Sequence, residues 1–176
     1  MSEPEVRKTG IMMSVRPAAL ADLPGILAIY NAVIATSTTV YMDDPVTLAN
    51  RREWFEGRVK AGYPVLVAAE GSAILGFSSF GDFRAFPGYR FTVEHSVHIA
   101  DGQRGKGLGR QLVQALIPLA KQRGKHVILG GIDAENAGSI RFHEKLGFTE
   151  VAHMPQVGFK FGRWLDLVFM QKILSQ

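Results

Sequence analysis

Residues 104–110 read RGKGLGR, with Gly105, Gly107 and Gly109 alternating with the cations Arg104, Lys106 and Arg110. Leu108, Leu112, Leu116 and Leu119 follow at helical spacing, so the loop opens straight onto an amphipathic helix. The first amides of a helix have no intrahelical acceptor and carry partial positive charge. Glycine lets an anion come close to the backbone, and successive N–H groups form a concave nest. The chemistry this pattern serves is the binding of a phosphate or pyrophosphate. The alternative is a plain surface turn.

Two familiar phosphate loops fit it poorly. A P-loop places Lys and Ser/Thr after its last glycine, whereas Leu108 follows Gly107. The dinucleotide fingerprint G-x-G-x-x-G requires glycine where Arg110 stands, directly behind an apolar strand. Here ADGQR intervenes, and the preceding strand carries Glu94, His95 and His98. Asp133, at the end of the next strand, occupies the place of a ribose-binding acid, so an NAD(P)-binding oxidoreductase stays open. A metal is not expected. Glu94 and His98 are four residues apart on a strand, about 13 Å at the usual rise, and no H-x-x-x-H helix exists. The absence of cysteine excludes disulfides, thiolate zinc sites and a cysteine nucleophile.

Elements that must position this loop can be read along the chain. MSVRP is a short strand, and Leu20, Leu23, Leu27, Tyr30 and Ile34 mark a helix over 19–35. Residues 46–62 repeat the helical pattern through Leu48, Trp54, Phe55 and Val59. PVLVAAE and AILGFSSFGD form a hairpin around Gly71–Ser72, and RFTVEHSVHIA is a third strand. The loop helix runs to Arg123. HVILGGID, the short helix within ENAGSIRFHEKLGF, TEVAHMP and WLDLVFMQKIL complete the order β-α-α-β-β-β-α-β-α-β-β. The last β-α-β unit before the terminal strands implies one parallel pair in an otherwise antiparallel sheet. The fold class is α/β (α+β), a mixed sheet of about seven strands with helices on its faces.

The chain of 176 residues is 47% hydrophobic and 20% charged, with net charge +4. That is an ordinary globular balance, enough for one domain over 13–176 behind a polar tail at 1–12. The start lacks a secretory h-region, and no apolar run is long enough to span a bilayer. A cytoplasmic protein with no membrane partner is expected. The cations near 104–110 suit one ligand's phosphates rather than the basic stripe that nucleic acid requires.

RGKGLG resembles the Q/R-x-x-G-x-G/A loop of the GNAT acyltransferases, with Arg104, Gly107 and Gly109 on the defining positions. NAGSIRFHEKLGF is similar to that family's next motif. VLVA…LGFSSFGDFR, TVEHSV and MPQVGFKFGRWLDLVFMQ resemble its phosphinothricin and methionine-sulfoximine N-acetyltransferase branch. The resemblance runs from about residue 13 to the C-terminus. It implies the GNAT fold, acetyl-CoA as co-substrate, a small amino acid or analogue as acceptor, and a homodimer. It also implies that the amides of Gly105, Lys106, Gly107, Leu108, Gly109 and Arg110, beside Arg104, hold the pyrophosphate. Val97, His98 and Ile99 would pair through backbone with the pantetheine arm. Asn136 and Ser139 would meet the cofactor from the next helix.

Acetyl transfer to an amine requires removal of a proton, stabilisation of a developing oxyanion and departure of a thiolate. The resemblance makes Glu94 the candidate base, directly or through water. An ordinary Glu near pKa of about 4.3 is a weak base, and burial would improve it. A structural carboxylate paired with Arg84 or Arg90 is the alternative. A strand amide near Val97 suits the oxyanion. His143, where the family often has tyrosine, is the candidate acid for the thiolate. Asn136, Ser139, Ile140 and His143 share one helical face. Arg84, Ala85 and Phe86, with Glu94, His95 and Ser96, sit where this branch contacts substrate, and Arg84 suits a carboxylate. Phe83 and TTVYM at 38–42 depart from the branch's usual tryptophans. A module that binds acyl-CoA without turnover is the non-enzymatic alternative.

Overall fold

The computed structural model describes residues 13–174, and the tail at 1–12 lies outside them. The elements are β1 (Ser14–Pro17), α1 (Leu23–Thr36), α2 (Leu48–Lys60), β2 (Val65–Glu70), β3 (Ala73–Asp82), β4 (Thr92–Ile99), α3 (Leu108–Gln122), β5 (Val127–Asp133), α4 (Ala137–Lys145), β6 (Thr149–Lys160) and β7 (Arg163–Ile173). Their order is the one read from the sequence. Short 3-10 turns at Leu20–Asp22 and Pro87–Tyr89 are added.

All seven strands join one sheet in the order β1-β2-β3-β4-β5-β7-β6. Only β4 and β5 pair in parallel. Alternate residues of each strand face opposite layers. On one side Leu66, Phe80, Val93 and Ile128 pack against Leu112, Val113, Leu116 and Ala120 of α3. On the other, Val65, Val67 and Phe77 meet Leu23, Ile26 and Ile29 of α1 and Phe55 of α2. Each such side chain contributes about 1.5–3 kcal/mol on burial. The α3 layer extends over β4 and β5, whereas the α1–α2 layer covers β2 and β3 and leaves that face of the β4–β5 junction outside it.

That meeting is brief. The parallel ladder has rungs Thr92↔Val127, Val93↔Ile128 and Glu94↔Leu129. Beyond it, β4 continues beside β3 to Gly76↔Ile99, and β5 continues beside β7 to Asp133↔Leu167. The two strands therefore fork, and the facing edges of Ser96–Ile99 and Gly130–Asp133 carry no pairing with each other.

Two elements differ from the sequence reading. The second helix buries Arg51 and Phe55, while Leu48 and Val59 are exposed. Its inward face is partly polar because it borders a cavity rather than a dry core. β6 runs past Pro155 to Lys160, bulging between Met154 and Gly158, where the Gln156 amide donates to Asp166 Oδ1 at 2.8 Å. Among the described residues no helix is long and apolar enough to cross a membrane.

Candidate active site

The fork opens into a cavity of about 400 Å³ whose walls include Glu94, Ser96, Val97, His98, Gly131 and Asp133. A trough of about 580 Å³ adjoins it, sharing Thr39, Val97, His98, Asn136 and Ser139 and running to the glycine loop.

Glu94 is the carboxylate at the apex. It has no ion-pair partner among the described residues, and burial pushes its carboxyl above the ordinary range. The alternative pairing is not made: Arg90 donates to the Pro87 carbonyl at 3.0 Å and lies over the Phe91 ring. Room for the carboxylate comes from Gly131. A Cβ there would stand 3.0 Å from Glu94 Oε1.

Gly130, one residue earlier and on the opposite face, makes room for two imidazoles. A Cβ at Gly130 would lie 3.0 Å from His95 Nε2 and 3.2 Å from His143 Nε2. His143 Nδ1 is 2.7 Å from the Ser139 carbonyl oxygen, and its Nε2 is 3.2 Å from His95 Nε2. A carbonyl only accepts, so Nδ1 carries the proton. Burial lowers the His143 pKa, and burial followed by the neighbouring His143 pushes His95 down to about 3. Both rings are thus neutral at pH 7. The Nε2 of His143 is then a lone pair receiving the His95 N–H. His95 Nδ1 is left as a buried acceptor without a partner.

At the loop, Gly105 and Gly107 take φ of 79° and 80°, the left-handed region that favours glycine. Gly107 is the N-cap of α3 and supplies no side-chain cap, so the first-turn amides face the trough. Gly105, Gly107, Leu108, Gly109 and Arg110 line it, with Arg104, Ile99 and Gln103. A loop of this shape beside an edge strand fits a diphosphate with a long amide-bearing arm. Among the described residues no group of three or more His, Cys, Asp or Glu could hold a metal.

The model of the acetyltransferase (GNAT) family matches residues 26–148. This chain belongs to the GNAT acetyltransferase family. It is 55% identical over 159 residues to the L-methionine sulfoximine/L-methionine sulfone acetyltransferase of Pseudomonas aeruginosa, covering 90% of this chain and 92% of the relative. The phosphinothricin N-acetyltransferase of Alcaligenes faecalis is 35% identical, covering 92% and 83%. Among solved structures, an acetyltransferase from Salmonella typhimurium with its cofactor acetyl-CoA superposes with a TM-score of 0.90 at 50% identity, covering 93% and 95%. The open sequence-level alternative of an NAD(P)-binding oxidoreductase is not favoured by these relatives. The acid that suggested it is occupied: Asp133 accepts from the Thr38 hydroxyl and, at 3.0 Å, from the Glu135 amide.

Within this acetyltransferase the fork gathers Glu94, His95, Ser96, Val97, His98, Asn136, Ser139 and His143, the residues that the family resemblance implied. Asn136 caps α4 by accepting from the Ser139 amide at 3.0 Å. Other expected residues stand elsewhere. Lys106 does not line the trough; its Nζ donates to Gln103 Oε1 at 2.8 Å. Arg84, Ala85 and Phe86 are exposed and do not line the cavity. β3 ends at Asp82, Phe83 packs on Phe169 and Tyr89, and the Arg84 guanidinium lies over the Phe83 ring. The N–H of His143, expected as a proton donor, is donated to the Ser139 carbonyl in this arrangement.

Sequence reasoning missed Arg51 and Arg58, which line the cavity from α2, and both glycines of HVILGGID. Only the glycine pair left a trace, as an unexplained break in an apolar strand. The TTVYM segment at 38–42, expected to line the pocket, does so through Thr39 and Val40. Lys160, 1% exposed, holds it by donating to the carbonyls of Ile34, Ser37 and Val40, each at 2.7 Å.

Proposed function

We propose that this acetyltransferase moves the acetyl group of acetyl-CoA to the amino group of a small amino acid or analogue, of the methionine sulfoximine, methionine sulfone or phosphinothricin kind, within a ternary complex. The observation that carries this reading is Glu94: an unpaired, half-buried carboxylate in the cavity that adjoins the phosphate trough. Acetyl-CoA supplies an activated thioester. The first-turn amides of α3 hold its diphosphate, and the free edge of Val97–Ile99 aligns its arm as an added strand. Glu94, with its pKa raised, accepts the ammonium proton directly or through one water. A β4 amide near Val97 faces the carbonyl oxygen as charge develops. A thiol with an ordinary pKa of about 8.5 leaves without an acid, consistent with the engaged His143. Ser96 borders the acceptor. The cytoplasm, where acetyl-CoA is made and used, is the compartment this reading implies.

A homodimer belongs to the same reading. Phe159, Phe161 and Trp164 are 53%, 57% and 61% exposed on the β6–β7 hairpin at the sheet's edge. Contiguous exposed aromatics of this kind mark an interaction surface.

Thiol release from acetyl-CoA across amino acids, methionine sulfone, methionine sulfoximine, phosphinothricin and polyamines tests the activity. Release with amino acids or their analogues is expected. CoA binding by calorimetry without thiol release from any amine would instead make the chain a binding module. Binding of NADPH but not CoA would overturn the reading altogether.

A further inference from the structure

We propose that Arg51 and Arg58 form the anion subsite that binds the carboxylate of the acceptor amino acid, an inference that rests on the acetyl-transfer reading above. Both line the cavity that holds Glu94. Arg51 is 8% exposed, with its guanidinium 4.2 Å from the Tyr30 ring centre and 5.1 Å from that of Trp54. Its only hydrogen-bonded neighbour among the described residues is Asn50 Oδ1, reached by Nε at 3.2 Å and Nη2 at 2.8 Å. A guanidinium has five N–H donors, so Nη1 is left for another acceptor. Arg58 is more telling: its Nε is buried with no partner.

Neither guanidinium lies within salt-bridge distance of a carboxylate among the described residues. Asp82 acts on Arg58 from farther off, but it accepts from the Tyr63 hydroxyl and pairs with Lys125 at 3.7 Å. Paired burial is what normally makes a buried charge tolerable. Two cations held without a counter-ion beside a cavity are a site that an incoming anion completes, and arginine's fork suits a carboxylate.

The placement also fits the acceptor. A Cβ on Gly81 would fall 1.5 Å from Arg58 Nη1, so the guanidinium lies over the Gly81 backbone. Gly81 is the cross-strand partner of Glu94. The anion subsite therefore sits one strand away from the base, so an amino acid can offer its carboxylate to the arginines and its amine to Glu94. Arg51, Trp54 and Arg58 also line an open cleft of about 550 Å³ outside α2. The acceptor thus has its own mouth, which shares no lining residue with the phosphate trough.

The test is steady-state thiol release with L-methionine sulfone and with the same molecule lacking its carboxylate, 3-(methylsulfonyl)propylamine, in the wild type and in Arg51→Met, Arg58→Met, Arg58→Lys and Arg84→Ala. The wild type is expected to prefer the amino acid in kcat/KM by about 10- to 100-fold, the range for hydrogen bonds to a charged group. Either methionine variant should raise KM for the amino acid about tenfold or more and erase that preference, with KM for acetyl-CoA unchanged. Arg58→Lys should recover part of the loss. A wild type that uses the amine as well as the amino acid overturns the proposal without any variant, so a variant that fails to fold does not protect it. Unchanged KM in both methionine variants, or a larger rise in Arg84→Ala, overturns it as well. Those results would leave acetyl transfer standing. No thiol release by the wild type with any amino acid would instead remove the activity, and this subsite with it.

Discussion

The Nε2 atoms of His95 and His143 lie 3.2 Å apart in the apolar layer beneath the fork, and Phe148 packs against both rings. Two imidazoles so close cannot both be charged.

The buried histidines of β4 set an acid limit on stability. The folded-state pKa of His95 is pushed down to about 3 and that of His98 to about 4, in both cases chiefly by burial. The unfolded chain therefore binds more protons below the ordinary histidine pKa. Stability is full above pH of about 6.5 and falls as pH drops from there toward the folded values, by about 2 kcal/mol per buried histidine by pH 5. Thermal unfolding between pH 7.5 and 4.5 should show a falling Tm, and His95→Phe should flatten that slope. An equally steep slope in the variant would contradict the assignment.

Loss of the His143 imidazole should cost less activity than loss of a general acid. Positioned acids contribute about 10²–10⁴-fold. His143→Asn should lower kcat by less than about tenfold on that scale while clearly lowering Tm. A hundredfold fall in kcat with intact folding would restore His143 as the proton donor.

Glu94→Gln should separate activity from stability. The carboxylate is half-buried and unpaired, so its folded-state pKa is raised, and its ionisation above that pKa works against the fold. The amide should lower kcat by about 10²-fold or more while leaving Tm at pH 8 equal to or above wild type. In the wild type, kcat/KM should fall as pH drops through the raised pKa, a limb the variant should lack. Full kcat at every pH in Glu94→Gln would remove it as the base.

The two glycines of β5 should respond differently to one methyl group. Gly131→Ala meets Glu94 Oε1 and should lower kcat with little change in Tm. Gly130→Ala meets both imidazoles in a packed layer and should destabilise by about 1–3 kcal/mol, as overpacking does. Paired kinetics and melts read the contrast, and identical profiles would refute it.

Gly107→Ala isolates the loop. Nothing lies within 4 Å of a Cβ there, so the change acts only through φ of 80°. The strain is about 1–2 kcal/mol. KM for acetyl-CoA should rise about tenfold, the equivalent of that energy, with kcat nearly preserved. Unchanged KM would separate the loop from the cofactor.

Much of this molecule was legible in its sequence because periodicity reports burial. The α3 leucines and the alternating strands showed the element order, and the glycines at 105–109 marked the nest by their backbone needs alone. The acceptor side was hidden for the converse reason. Arg51 and Arg58 lie in a helix whose apolar residues suggested another inward face, and buried cations carry no periodic mark of their own. Arg84 looked apt for a carboxylate by chemistry, but the packing of Phe83 on Phe169 holds its loop outside the cavity. His143 was reached through the family resemblance and its shared helical face with Asn136, while its contact with His95, 48 residues away in sequence, left no mark there.

Lys160 is one of the ties between the 37–42 segment and the terminal hairpin, beside Tyr41, whose hydroxyl donates to the Asp166 carbonyl at 3.3 Å. Its ammonium ties the 37–40 backbone to the last residue of β6, next to Phe161 on the exposed aromatic hairpin. The cavity wall at Thr39 and Val40 is thus pinned from the sheet's edge strand, by one ammonium that satisfies three backbone carbonyls at once.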